Sequence, residues 1–269
     1  METRNYSPQT VKVYVAMLAN IARYYHQSPE GLSVDQIKKY LHYCKTERGL
    51  SVSTINQTIS ALKILFQDIL DRPWGDIRIK RPRKTNYLPD ILSREEIFQM
   101  ISITSNIKHK AILALLYSTG IRRQELLDLK ISDIDSKRML IRVRHSKGNK
   151  SRDALLSENT LKILRKYYSF YQPKQYLFES YRPGISYSAE SVNKVVGKAA
   201  QKAGITKNIH AHSLRHTFAT HLLEQGTNLK VIQMLMGHSS MRTTAIYLHL
   251  AKTDFNNVKN PFDQFEQSI

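Results

Sequence analysis

One cysteine, Cys44, occurs in 269 residues. Disulfide frameworks and multi-cysteine zinc sites are therefore excluded. No apolar run reaches membrane-spanning length, and the start, Met1-Glu-Thr-Arg-Asn-Tyr6, lacks the apolar core of a secretion signal. A reducing, cytoplasmic setting without membrane attachment is the expectation. Negative charge is scarce: 22 Asp and Glu stand against 41 Lys and Arg, for a formal net charge of +19. Carboxylates are not clustered, which suits a chemistry that requires no metal. The excess of cations instead favours a polyanionic partner, with nucleic acid first among the candidates and a generic basic protein as the plainer alternative.

What is present divides at a proline-broken basic stretch, Ile77-Arg-Ile-Lys-Arg-Pro82-Arg-Lys84-Thr-Asn-Tyr-Leu-Pro89. It reads as an exposed linker. Residues 1–86, which include the linker from about 77, form one segment and 87–269 the other, and both carry more basic than acidic residues.

The first segment is predicted to be helical. Ser7 before Pro8 marks an N-cap with proline at the first helical position, and Val11, Tyr14, Val15, Leu18 and Ile21 trace one face. Ser33 with Gln36 forms a capping box, and Gly49 ends that helix. Ser51 opens a third, with Ile55, Ile59, Leu62, Leu65, Phe66 and Ile69 as its stripe.

In the second segment Ser93 and Glu96 form another capping box, and Ala111–Tyr117 reads as a buried helix closed by Gly120. Leu140–Arg144 alternates as a strand, Lys147-Gly-Asn-Lys150 supplies turn residues, and Arg152–Leu156 returns as its partner. Helices resume near Leu161, Ser191, Ser213, Leu229 and Arg242. The fold class is mainly α with a small β-sheet.

The chemistry-bearing residues concentrate in this second segment. His212-Ser-Leu-Arg215-His216 is followed by Gly237-His238 and then by Tyr247. A tyrosine hydroxyl titrates near pH ~10, so it is a weak nucleophile at neutral pH without help. Two arginines and imidazoles are the help that attack on a phosphodiester needs. Paired guanidiniums match the negative charge gathering on the non-bridging oxygens, and separate groups must move protons from the phenol and to the leaving oxygen. Arg122 is predicted at a helix start, itself an anion site. Lys147 sits in a hairpin turn with reach into a groove.

Each residue alone has a plainer reading. Arg122 could be a surface arginine, Lys147 an ordinary turn lysine, and Tyr247 a packed aromatic among 15 tyrosines. A metal site on His212 and His216, four residues apart, is disfavoured because Arg215 between them repels a cation.

Taken in order, the motifs Thr119-Gly-Ile-Arg122-Arg-Gln-Glu, Ser146-Lys147-Gly, His212-Ser-Leu-Arg215-His, Gly237-His238 and Thr243-Thr-Ala-Ile-Tyr247 closely resemble the tyrosine recombinase (phage integrase) family. The Xer-like and integron-integrase-like branches are nearest. The resemblance implies an α-rich catalytic domain over 87–269 and a helical, SAM-like core-binding domain over 1–86, closing as a C-shaped clamp on duplex DNA. It implies that Arg122 and Arg215 clamp the scissile phosphate, Lys147 protonates the leaving oxygen, and His212 and His238 assist proton transfer and phosphate contact. Tyr247 would form a 3′-phosphotyrosyl link. No cofactor, metal or ATP is implied, whereas a homotetramer on paired DNA sites is. The chain departs mildly at Arg123-Gln124 and at Met236, and, with its start so close to the first helix, the extra arm-binding domain of larger phage integrases is not expected.

Two other readings compete with a site-specific recombinase. A type IB topoisomerase shares the chemistry without synapsis. A non-catalytic DNA-binding regulator would use Thr227–Leu250 as a helix-turn-helix, although Val231, Met234 and Leu235 read more simply as core. After Lys252 the chain turns polar but keeps Phe255, Phe262 and Phe265, which read as a docking tail for a neighbouring protomer.

Overall fold

The computed structural model describes residues 6–74, 79–82, 88–144 and 151–251. The turn carrying Lys147, the tail from Lys252 onward and parts of the linker lie outside the described residues. The chain divides into two compact units, Met1–Tyr87 and Leu88–Ile269.

The first unit is built from α1 (Pro8–Tyr25), α2 (Val34–Thr46) and α3 (Val52–Lys63). The Ser7 hydroxyl accepts from the Thr10 amide to start α1, and the reciprocal Ser33–Gln36 box starts α2. Ile21, Ile37, Tyr40, Leu41, Ile55, Ile59, Leu62 and Phe66 make the core.

Val11, Tyr14, Val15 and Ile69 of the predicted stripes lie outside this core. Val15 is exposed on α1. Ile69 is exposed because the chain runs from α3 into a π-helical turn, Ile64–Ile69. Its wider hydrogen-bonded turn breaks the 3.6-residue period and rotates Ile69 off the stripe. The linker also departs from a free charged run. Ile79 packs on the core, and Arg81 donates to the Ser60 hydroxyl at 3.1 Å.

The second unit surrounds α5 (Ile107–Thr119), whose residues 111–116 are all buried. A helix apolar on every side belongs at the centre. It is enclosed by α4 (Arg94–Ser102), α7 (Glu158–Tyr171), α8 (Ala189–Lys202) and α9 (Ala211–Glu224). A three-stranded antiparallel sheet lies beside them, in the order β1 (Ile134–Asp135), β2 (Leu140–Val143) and β3 (Arg152–Leu155). The β2–β3 register pairs Ile141 with Ala154 and Val143 with Arg152.

The short α6 (Arg123–Asp128) follows α5, while α10 (Leu229–Met236) and α11 (Met241–Thr244) lead into a 3₁₀ turn, Ala245–His249. On α10 the packing face is Ile232 and Met236, and the predicted core residues Val231 and Met234 are instead exposed. Among the described residues no helix is long and apolar enough to cross a membrane.

Candidate active site

Arg122, Arg215, His238 and Tyr247 come together where the C-terminal ends of α5 and α10 meet the first turn of α9. Both helices stop at a glycine in the left-handed region, Gly120 (φ 59°) and Gly237 (φ 59°). Space requires glycine as well. A Cβ on Gly120 would stand 2.4 Å from Phe218 Cδ1, and one on Gly237 would stand 2.9 Å from Arg152 Cδ.

The carbonyls at these helix ends hold the arginines. Arg215 is almost wholly buried, at 1% exposure, and donates to the Gly120 and Met236 carbonyls at 2.5 Å each. Arg122 donates to the Gly237 carbonyl at 2.9 Å. The partial negative charge of two helix C-termini thus offsets the crowding of guanidiniums. Burial and then Arg122 lower the Arg215 pKa to about 10, so it stays cationic at neutral pH.

Two partners of this site were not identified from the sequence. Glu125 is buried on α6 and accepts from Arg122 Nη1 at 2.7 Å and from the Arg122 amide at 2.8 Å. Arg152 grips the same carboxylate with Nη1 and Nη2 at 2.9 and 2.8 Å. Burial acts to raise the Glu125 pKa, but the hydrogen bonds from Arg152 and Arg122 prevail and bring it down to about 2. The N-cap amide of α6, that of Arg122, is therefore taken by Glu125. Three guanidiniums set against one carboxylate give the centre its anion-attracting charge.

His238 Nε2 lies 3.0 Å from Arg215 Nη2, and its Nδ1 lies 3.0 Å from the Thr244 hydroxyl. Desolvation, then Arg215, lowers its pKa to about 4. Its ring lies nearly parallel to that of Tyr247, with centroids 6.3 Å apart and planes 14° apart.

Tyr247, on the 3₁₀ turn, is 1% exposed and packs with Ala219, Ile232 and Met236. Burial raises its pKa to about 12, against the pull of Arg215 and Arg122. His216 lies between Tyr247, at 5.7 Å, and His212, at 4.6 Å between ring centroids. Desolvation and then His212 lower the His216 pKa to about 4. His212 is exposed overall, and partial desolvation of its ring followed by Arg215 draws its pKa below the ordinary value. His212 reaches the surface, whereas Arg215, one helical turn on, is buried. Arg123 is exposed, so Arg122 is the arginine facing this centre.

The phage integrase family matches residues 90–254, and the phage integrase N-terminal SAM-like domain matches residues 1–76. The chain belongs to the phage integrase family of tyrosine recombinases, enzymes that break and rejoin DNA. Protein y4qK of Sinorhizobium fredii is 37% identical over 264 residues, covering 98% of this chain and 86% of that one. Tyrosine recombinase XerC of Lactobacillus delbrueckii subsp. bulgaricus is 32% identical over 269 residues, covering 92% and 90%. Among solved structures, the XerH site-specific recombinase bound to a palindromic difH substrate, in its post-cleavage complex, is 25% identical. It has a TM-score of 0.73 and covers 93% of this chain and 78% of that one.

Proposed function

We propose that this recombinase acts on duplex DNA through Tyr247. The phenol oxygen attacks the scissile phosphorus, the bond to the 5′ oxygen breaks, and a 3′-phosphotyrosyl bond forms with release of a 5′ hydroxyl. Arg122 and Arg215 meet the non-bridging oxygens, and Lys147 gives the leaving oxygen its proton. His212, neutral and at the surface, takes part in removing the phenol proton, while His238 completes the phosphate site with Arg215. The bond energy is kept in the phosphotyrosine, so neither metal nor ATP is needed.

The observation that carries this reading is that Arg122 and Arg152 share the one carboxylate of Glu125, with the buried Arg215 and a buried tyrosine close by. Such a centre has spare positive charge for one phosphate. The first unit acts as a core-binding domain. Lys38, His42 and Lys45 recur at helical spacing on α2 and are all exposed, as a phosphate-tracking face would be. Both units contact the duplex, and four protomers act together on paired sites in the cytoplasm, with the Phe-containing tail docking between neighbours.

Incubation with a random duplex library, with EDTA present and ATP absent, tests this reading. SDS-resistant protein–DNA adducts at a selected sequence, and strand exchange between two copies of it, are expected. Relaxation of plasmids lacking that sequence, without strand exchange, would instead indicate a topoisomerase. No adduct on any duplex would refute a catalytic role.

A further inference from the structure

Arg152 takes no direct step in the chemistry proposed above, yet all three of its guanidinium nitrogens are engaged beside Arg122. It opens β3, and its side chain is 10% exposed. Its Nη1 and Nη2 hold both oxygens of Glu125, and its Nε donates to the Leu235 carbonyl at 3.0 Å near the end of α10. The next carbonyl but one, that of Gly237, is the second anchor of Arg122, and only the lack of a Cβ on Gly237 makes room for the Arg152 stem. Both anchors of Arg122 therefore depend on Arg152. One is gripped directly and the other is packed against it.

The charge distribution points the same way. Each Glu125 oxygen accepts twice, once from Arg152 and once from Arg122. Without Arg152, the buried carboxylate would keep Arg122 as its only cationic partner and draw the guanidinium into a closer pair. Charge needed at the phosphate would then be spent on Glu125.

We infer that Arg152 is a positioning residue for the phosphate clamp: by sharing Glu125 it leaves Arg122 placed and free to face the scissile phosphate. This rests on the role proposed for Arg122 and Tyr247.

The test is single-turnover covalent trapping by the full chain on a nicked duplex carrying its selected site. Wild type, Tyr247→Phe, Arg152→Met, Arg152→Lys and Arg152→Met/Glu125→Gln are compared. Arg152→Met is expected to lower the rate at saturating DNA by about 10–10²-fold, the scale of a ~1 Å misplacement, while half-saturation stays within about twofold. On DNA with a methylphosphonate at the scissile position, the charge that Arg122 answers is gone, and the defect should shrink to within about threefold.

Arg152→Lys should lie between wild type and Arg152→Met. The double variant replaces both partners, which favours folding, and should cleave about tenfold faster than Arg152→Met because the competing carboxylate is gone. A normal rate for Arg152→Met, an equal loss on both substrates, or no recovery in the double variant would overturn the inference. Loss of adduct in wild type, or its persistence in Tyr247→Phe, would instead refute the underlying functional reading.

Discussion

Arg215 Nη2 stands 3.0 Å from His238 Nε2, and a guanidinium can only donate, so that imidazole nitrogen is an unprotonated acceptor. The ring proton then sits on Nδ1, facing the Thr244 hydroxyl at 3.0 Å. The contact exists only while His238 is neutral. A buried arginine has fixed a histidine tautomer beside Tyr247.

The first prediction concerns pH and stability. His238 and His216 both titrate near 4 in the folded chain, against about 6.5 when unfolded. Between these values the unfolded state binds more protons, so stability rises with pH through the window and is lost as pH falls from about 6.5 toward 4. Urea unfolding at a series of pH values should show this slope, and His216→Gln should reduce it. A wild-type slope unchanged by that substitution would contradict the assigned protonation.

Arg122 and Arg215 should separate by stability. Either alanine variant is expected to cleave about 10²–10³-fold more slowly than wild type. Arg215→Ala also strands the buried Gly120 and Met236 carbonyls, at about 1–3 kcal/mol for each. Arg122→Ala leaves Glu125 still gripped by Arg152 and should lose less stability. Thermal melts of the two variants check the order, and equal losses would speak against it.

Gly120→Ala should destabilise the chain even though alanine is small. The left-handed backbone alone costs about 1–2 kcal/mol for a residue with a Cβ, and the new atom would overlap Phe218. Because the Gly120 carbonyl anchors Arg215, cleavage should slow as well. A urea midpoint equal to wild type would show that α5 can end without glycine.

Local signals were the legible ones. The caps of α1, α2 and α4, the glycine stop of α5 and the β2–β3 hairpin follow from neighbouring residues. The π-helical turn that exposes Ile69 is a change of period, which a 3.6-residue stripe does not anticipate. The two-residue β1 is too short to show alternation. Val231 and Met234 are apolar yet exposed, because α10 is two turns long and its packed face is set by α9 and Tyr247. Of the site, the ordered motifs marked Arg122, His212, Arg215, His238 and Tyr247. Glu125 closes the Arg122 motif but carried no sign of its role, and Arg152 gave no signal at all, since the two pair across 27 residues through the fold.

The role proposed for Lys147 has a chemical test. A 5′ thiolate leaves without a proton, because thiols ionise near pH ~8.5. Lys147→Ala should cleave ordinary DNA slowly and recover much of its rate on DNA with a 5′-bridging sulfur, whereas Arg215→Ala should recover far less. Rescue of Lys150→Ala in place of Lys147→Ala would move the general acid to Lys150.

Tyr247→Phe tests the central claim most directly. It removes one hydroxyl and leaves the ring packed among Ala219, Ile232 and Met236, so the fold and DNA affinity should persist. In denaturing gels after incubation with the selected duplex, wild type should give an SDS-resistant adduct and Tyr247→Phe none. An adduct of wild-type yield from the phenylalanine variant would show that another residue is the nucleophile.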